Sequence, residues 1–177
     1  MKKLLLTLAA VCGIAFGSLA QTTAASTPAY SVTTGTKFSV GAEAGLPVGQ
    51  ASDGYSTVLG GSVKLELPTS SRTYFTLSAG YSAFLLKSEF KGIGIPSSSG
   101  FVPIKAGLKY YSEGNFFIEG QLGIVFSTES GGGHAFIYSP GIGYSFNNGF
   151  EAGVRYEGWV NDGTVGQMSL RLAYRFQ

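Results

Sequence analysis

The stretch Val-Gly-Gln-Met-Ser-Leu-Arg-Leu-Ala-Tyr-Arg-Phe at residues 165–176 alternates apolar and polar side chains. One face of this stretch carries large apolar residues: Met168, Leu170, Leu172, Tyr174 and Phe176. The other face carries polar residues: Gln167, Ser169, Arg171 and Arg175. A period of two residues indicates a β-strand with two different faces. Its length exceeds the five or six residues usual in soluble sheets and matches the roughly 9–11 residues of a tilted transmembrane strand.

The same alternation recurs along the chain, and no stretch keeps helical spacing. The predicted strands span residues 37–46, 57–67, 73–85, 101–111, 116–126, 136–146, 150–159 and 165–176. The segments between them alternate between long and short, as in outer-membrane barrels, which have short periplasmic turns and longer extracellular loops. We therefore predict an all-β fold, an eight-stranded antiparallel up-and-down transmembrane β-barrel.

Charged residues are scarce in this chain. They make up 12% of the sequence, against about 25% in ordinary soluble domains. The net charge of +2 comes from Lys2 and Lys3. Without these two residues the chain has 10 basic and 10 acidic residues. This balance gives no electrostatic basis for nucleic-acid binding. A soluble eight-stranded barrel or sandwich is the alternative fold, although such a protein would normally carry far more surface charge.

The N-terminus has the three parts of a Sec-type signal peptide. Basic Met1-Lys2-Lys3 precedes an apolar run from Leu4 to Phe16, and Ser18-Leu19-Ala20 fits the small-x-small cleavage pattern. We predict a cleaved signal peptide at residues 1–20, a flexible segment at 21–36 and a barrel domain at 37–177. Removal of the signal would also remove Cys12, the single cysteine, so we expect neither a disulfide nor a cysteine-ligated metal.

The orientation of the polar faces follows from energetics. A Lys or Arg facing lipid at the bilayer midplane costs about 2–4 kcal/mol, so several of them must instead point into the barrel. An eight-stranded barrel is just wide enough for side chains to fill it, and we predict a plug of ion pairs in the lumen. Besides Lys37, the predicted lumen charges are Glu43, Lys64, Glu66, Lys105, Lys109, Glu119, Glu151, Arg155, Glu157, Arg171 and Arg175.

Aromatic residues and prolines suggest further features of the barrel. Trp159 is predicted to be an interfacial anchor at the outer rim. Because Pro103 and Pro140 each lack an N–H, we expect a bulge or a rim position at both. Aromatic residues near the short turns resemble an interfacial girdle: Tyr74, Phe75, Tyr110, Tyr111, Phe116, Tyr144, Phe146, Phe150, Tyr174 and Phe176.

Few residues suggest chemistry. His134 is the only histidine and could in principle act with Ser130, Glu129, Ser139 or Asp162, but no Gly-x-Ser-x-Gly or similar motif surrounds it. The acidic residues lack the spacing of a calcium loop, and Gly92-Ile-Gly94 and Gly141-Ile-Gly143 lack the third glycine of a dinucleotide site. We predict no catalytic, cofactor-binding or metal-binding residues, and no enzyme.

The combination of a signal peptide, eight alternating strands and the terminal segment Met168–Phe176 resembles the OmpA/OmpX-like outer-membrane β-barrel superfamily, in particular its Bacteroidota-type branch. The segments Val102–Tyr111 and Pro140–Phe146 are similar to the strand patterns of that family. The resemblance implies that Phe176, with Tyr174 two residues before it, is the aromatic signal read by the barrel-assembly machinery. Gln177 follows Phe176, which departs from the family pattern.

The resemblance implies an integral outer-membrane protein, exported by its signal, with a structural or surface-interaction role through extracellular loops. The expected partners are outer-membrane lipid and lipopolysaccharide, the assembly machinery during biogenesis, and an extracellular ligand at the loops; we expect a monomer and no cofactor. Two alternatives remain open. Some eight-stranded relatives modify lipid A, which would make the chain an enzyme, and a narrow channel would require a water path through the lumen charges.

Overall fold

The computed structural model of the chain describes residues 35–90, 97–129, 131–161 and 163–176. The predicted signal peptide and nearly all of the predicted flexible segment lie outside these residues. Eight strands are present: β1 (Lys37–Gly49), β2 (Tyr55–Pro68), β3 (Thr73–Leu86), β4 (Ser98–Tyr111), β5 (Phe116–Ser127), β6 (His134–Ser145), β7 (Phe150–Val160) and β8 (Thr164–Phe176). A one-turn helix, α1 (Ala51–Gly54), follows β1.

The strands form a closed antiparallel barrel in which each strand pairs with its neighbours in sequence and β1 pairs with β8. Closure runs along nearly the whole of both terminal strands, from Phe38 opposite Phe176 to Gly49 opposite Val165. The predicted eight-stranded up-and-down barrel is therefore confirmed. None of the helices in the described residues is long and apolar enough to cross a membrane.

The two ends of the barrel differ in their connections. Residues 69–72, 112–115 and 146–149 connect strands at the end that also holds Lys37 and Phe176, which we call the turn end. Residues 50–54, 87–97, 128–133 and 161–163 connect strands at the opposite end, which we call the loop end. Several strands extend further toward the loop end than predicted, so the loops are shorter. The β7–β8 connection is no longer than the turns.

Positive backbone φ angles mark two of the tight turns. Gly149 has a φ of 89° in the β6–β7 turn, and Gly114 and Asn115 have φ values of 81° and 68° in the β4–β5 turn. Glycine and asparagine adopt this region at low cost. Tight turns are therefore present at residues 112–115 and 146–149.

The two strand prolines were predicted wrongly. Pro103 and Pro140 lie within β4 and β6, opposite Val125 and Gly120 respectively, and neither is at a rim or a bulge. Instead, the β3–β4 pairing is interrupted next to Pro103 and the β6–β7 pairing next to Pro140, with the same register on both sides of each gap. Each proline thus removes a ladder hydrogen bond at its own position and leaves the register of the strand unchanged.

Burial is inverted relative to a soluble protein. Lys64, Lys109 and Glu66 are at most 2% exposed. Large apolar residues such as Leu122, Ile142 and Leu172 are instead more than half exposed on the outer surface. The alternative of a soluble barrel with apolar faces meeting inside is inconsistent with this arrangement.

Candidate functional site

The lumen is the part of the barrel where polar chemistry concentrates, and it has three layers along the barrel axis. An aromatic layer (Lys37, Tyr74, Tyr111 and Phe117) lies at the turn end. An ionic layer occupies the middle: Glu43, Lys64, Glu66, Lys105, Lys109, Glu119, Glu151, Arg155, Glu157 and Arg171. An apolar layer lies toward the loop end: Ala51, Val58, Phe84, Val125, Ile137 and Trp159.

Glu151 is one centre of the ionic layer. Its carboxylate lies 2.5 Å from Lys109 Nζ, 3.4 Å from Arg171 Nη1 and 4.0 Å from Lys64 Nζ. Ser145 also donates a hydrogen bond to it at 3.1 Å. Lys64 has a second partner in Glu119 at 2.6 Å. The position of Glu151 on β7 thus allows one buried carboxylate to neutralise cations from three other strands.

Lys109 completes this half of the ionic layer. Its Nζ lies 2.7 Å from Glu66 as well as 2.5 Å from Glu151. The same ammonium group lies 3.9 Å from the centre of the Phe117 ring, within the range of a cation–π contact. Two carboxylates and a ring therefore surround a lysine that has no contact with solvent.

Glu157 and Arg155 form the second centre. Glu157 pairs with Lys105, lies 3.1 Å from Arg155 Nε, and accepts a hydrogen bond from Gln167 at 2.7 Å. Arg155 also pairs with Glu43. Glu43 lies 3.6 Å from Arg171, which joins the two centres into one continuous network.

Many of these ion pairs cross the lumen instead of following the sheet. Lys64 on β2 reaches Glu119 on β5, and Lys105 on β4 reaches Glu157 on β7. In a barrel of eight strands, partners three strands apart face each other across the interior. The ionic layer therefore fills the cross-section of the barrel and links its walls.

The aromatic layer differs from the predicted girdle. Tyr74 is 1% exposed and packs edge-on against Tyr111 with ring centres 5.5 Å apart, so both rings lie inside the barrel. Lys37 lies over both rings. Among the residues that the structure describes, Arg175 donates to Tyr111 and Ser145 and pairs with no carboxylate. Other residues of the predicted girdle are exposed on the outer surface: Phe75, Tyr110, Phe116, Phe146, Phe150, Tyr174 and Phe176.

The prediction that Trp159 anchors the outer rim is wrong. Trp159 is 5% exposed and packs inside the barrel against Phe84 and Phe101, with ring centres 5.0 and 4.9 Å away. Its position two residues after Glu157 places it on the lumen face of β7. The sequence already contains this spacing, but the aromatic side chain was interpreted as an anchor at the membrane interface.

His134 and Ser139, two of the residues considered for chemistry, are not brought together in the structure. His134 is exposed at the start of β6, whereas Ser139 is buried in the lumen and donates toward Glu157. Ser130 and Asp162 lie outside the described residues. Within the described residues, no group of three or more His, Asp or Glu side chains is arranged to hold a metal.

Comparison with solved structures places this architecture among membrane barrels. Ail, the attachment invasion locus protein of Yersinia pestis, matches with a TM-score of 0.57 and 19% identity, covering 80% of this chain and 97% of that one. The N-terminal β-barrel domain of OprF from Pseudomonas aeruginosa matches with a TM-score of 0.51 and 15% identity, covering 78% and 97%. The chain shares the fold of these small outer-membrane β-barrels.

The small outer-membrane barrel fold extends to an artificial protein as well. A de novo designed transmembrane β-barrel matches with a TM-score of 0.52 and 14% identity, covering 79% of this chain and 95% of the design. No protein-family model matches the chain, and a search of curated proteins gives no match. The similarity is therefore one of fold, and the Bacteroidota-type branch stays a prediction.

Proposed function

We propose that this chain is an integral protein of the bacterial outer membrane, with a closed lumen and a structural or surface-interaction role carried by its loops. The inverted burial is the observation that supports this most strongly. An outer surface with Leu122, Ile142 and Leu172 more than half exposed favours an apolar solvent, because contiguous apolar surface of this extent is unfavourable in water. The outer-membrane barrels with the same fold support the location.

The two ends of the barrel suggest its orientation. Outer-membrane barrels keep short turns in the periplasm and longer loops outside, so we assign the turn end to the periplasm and the loop end to the exterior. Outer-membrane lipid surrounds the strands in this proposal, and lipopolysaccharide and an extracellular ligand meet the loop end. The chain acts as a monomer, since closure of β1 onto β8 leaves no free edge for a second copy.

The filled ionic layer supports a closed barrel over a narrow channel. Side chains from opposite walls meet in its centre, for example Lys109 with Glu66 and Glu151. His134 is exposed, whereas Ser139 is buried in the lumen and donates to Glu157, which supports a non-catalytic protein over a lipid A-modifying enzyme. In this proposal the lumen is a structural core built from charges.

Heat-dependent mobility on an SDS gel tests the membrane barrel. We expect the protein to fractionate with the outer membrane and to migrate faster without boiling than after boiling, because a closed barrel with a paired lumen resists SDS until heated. Recovery in the soluble periplasmic fraction, with one mobility under both conditions, would contradict the proposal.

The C-terminal residues Tyr174 and Phe176 are proposed as the assembly signal. Both rings lie on the outer surface at the turn end, 5.0 Å apart between centres, and Phe176 also lies 6.2 Å from Phe38 across the β1–β8 closure. An exposed aromatic pair on the last strand is accessible to the barrel-assembly machinery before the barrel closes.

Replacing Phe176 with alanine is expected to reduce the amount of folded protein in the outer membrane several-fold in cells, and to leave spontaneous folding into lipid vesicles nearly unchanged. Phe116→Ala is the matched control, because Phe116 is also an exposed aromatic at the turn end but lies on β5. Quantitative immunoblotting of heated and unheated membranes measures both variants. Equal losses in cells would refute a special role for the last strand.

A further inference from the structure

Two cations lie outside the ionic layer, at the turn end of the lumen. The ionic layer itself is balanced, with five cations and five carboxylates among the described residues. Lys37 on β1 and Arg175 on β8 also lie on the lumen face, and neither pairs with a carboxylate among those residues. The described part of the lumen therefore carries two positive charges in excess, both at this end.

The two side chains are held close together. Ser39 pairs with Arg175 across the β1–β8 closure, so Lys37, two residues before Ser39, is a diagonal neighbour of Arg175 at roughly 7–8 Å. Both cations also contact Tyr111: Lys37 Nζ lies 4.8 Å from the centre of its ring, and Arg175 Nη1 lies 3.4 Å from its hydroxyl oxygen. Like charges at this separation repel each other, and a negative group between them would remove the repulsion.

Solvent reaches both cations. Arg175 and Tyr111 are partly exposed although they lie on the lumen face. Lys37 is 8% exposed. The buried polar atoms without a hydrogen-bond partner include Arg175 Nε but neither Lys37 Nζ nor Arg175 Nη2. Because these last two atoms donate no hydrogen bond to a described residue, both retain surface that is accessible to a ligand.

The surplus of charge restricts the kind of ligand. An unpaired charge inside a protein is unfavourable, and the aromatic layer gives Lys37 ring contacts but no counter-charge. A phosphate group carries about two negative charges at neutral pH and has three strong acceptor oxygens. Guanidinium and ammonium groups both bind phosphate through charge-assisted hydrogen bonds. A dianionic phosphate therefore matches the two excess cations, whereas a carboxylate or a chloride ion would neutralise only one of them.

We propose that Lys37 and Arg175 form a binding site for a dianionic phosphate group, either inorganic phosphate or a phosphate monoester, at the turn-end mouth of the lumen. Lys37 Nζ and Arg175 Nη2 donate to the phosphate oxygens, and Tyr111 keeps the two cations in place. This site goes beyond the proposed surface role. In the proposed orientation the site opens to the periplasm, but its test in nanodiscs is independent of that orientation because buffer reaches both ends of the barrel.

Titration of the ¹⁵N-labelled barrel in phosphatidylcholine nanodiscs tests the site directly. The Nε–Hε signal of Arg175 reports on the site and is assigned by its loss in Arg175→Lys. At pH 7.5 and constant ionic strength, we expect methyl phosphate, a dianion, to shift this signal saturably. Dimethyl phosphate, a monoanion, should bind about tenfold more weakly, which corresponds to one hydrogen bond to a charged group. Equal affinities for the two esters, or no saturable shift with methyl phosphate, would overturn the proposal.

Substitutions at the turn end separate this site from a general attraction of anions. Lys37→Gln should weaken methyl phosphate binding about tenfold, whereas Lys37→Arg keeps the charge and should retain affinity within about threefold. Arg72→Gln is the matched control, because Arg72 is exposed in the β2–β3 turn at the same end, and it should change the affinity by less than about twofold. Equal losses in Lys37→Gln and Arg72→Gln would overturn the proposal. If Lys37→Gln fails the gel-mobility check for folding, the comparison of the two esters in the unchanged chain still decides the question.

Discussion

Replacing Glu151 with glutamine is expected to lower the free energy of unfolding by about 3–5 kcal/mol, the usual cost of breaking a buried ion pair from one side. Glutamine keeps the size of the side chain and can still accept from Ser145, so the change isolates the charge. Lys109, Arg171 and Lys64 then lose their shared carboxylate, while Lys109 retains Glu66 and Lys64 retains Glu119. Urea unfolding of the protein in lipid vesicles, followed by Trp159 fluorescence, measures the loss.

Glu129→Gln is the matched control for this substitution. Glu129 is exposed in the β5–β6 loop, and removing an exposed charge usually changes stability by less than about 1 kcal/mol. A loss at Glu151 no larger than the loss at Glu129 would mean that the ionic layer does not support the fold.

Replacing Leu122 with arginine is expected to cost about 2–4 kcal/mol, because Leu122 projects from the middle of β5 into the proposed hydrocarbon region, where a cation is strongly unfavourable. Leu122 is 58% exposed. In a water-soluble barrel the same change would be nearly neutral, since an exposed arginine is well hydrated. The size of the loss in stability therefore distinguishes lipid from water as the solvent of the outer face.

Leu46→Arg controls for the chemistry of the substitution. Leu46 is 64% exposed but lies near the loop end of β1, where the depth-dependent cost falls to about 0–1 kcal/mol. The same vesicle unfolding assay compares the two variants. Losses of equal size at both positions would place the bilayer midplane elsewhere on the barrel.

Alternation in the sequence was enough to predict the strands and which way their polar residues point. The parity of Glu119 and Gln121 on β5, or of Glu151 and Arg155 on β7, defines the lumen face because the side-chain period of a strand is two residues. Extending that parity by two residues, from Lys109 to Tyr111 and from Glu157 to Trp159, would also have placed both rings inside. Those rings were assigned by their hydrophobicity, which does not separate a lipid-facing aromatic from one that fills the end of a small barrel.

The pairing of the charges could not be read in the same way. Whether Lys64 meets Glu119 or Glu66 depends on the tilt and stagger of strands that are distant in sequence, and alternation along one strand contains neither quantity. The pair of cations at the turn end is likewise invisible in the sequence, since it forms where Tyr111 from β4 approaches Lys37 from β1.

The cross-lumen ion pairs also have a mechanical consequence. A force applied to the C-terminus would begin to extract β8 and β7 together as a hairpin. Through Glu151, Arg155 and Glu157, that hairpin is tied to β1, β2 and β4 on the other walls. Removing this hairpin would leave Lys64, Lys105 and Lys109 with fewer counter-charges, in a barrel that has lost a quarter of its strands. The whole barrel should then unfold in one cooperative step under force, and not one hairpin at a time. The cross-lumen ion pairs would distribute the applied force among several strands.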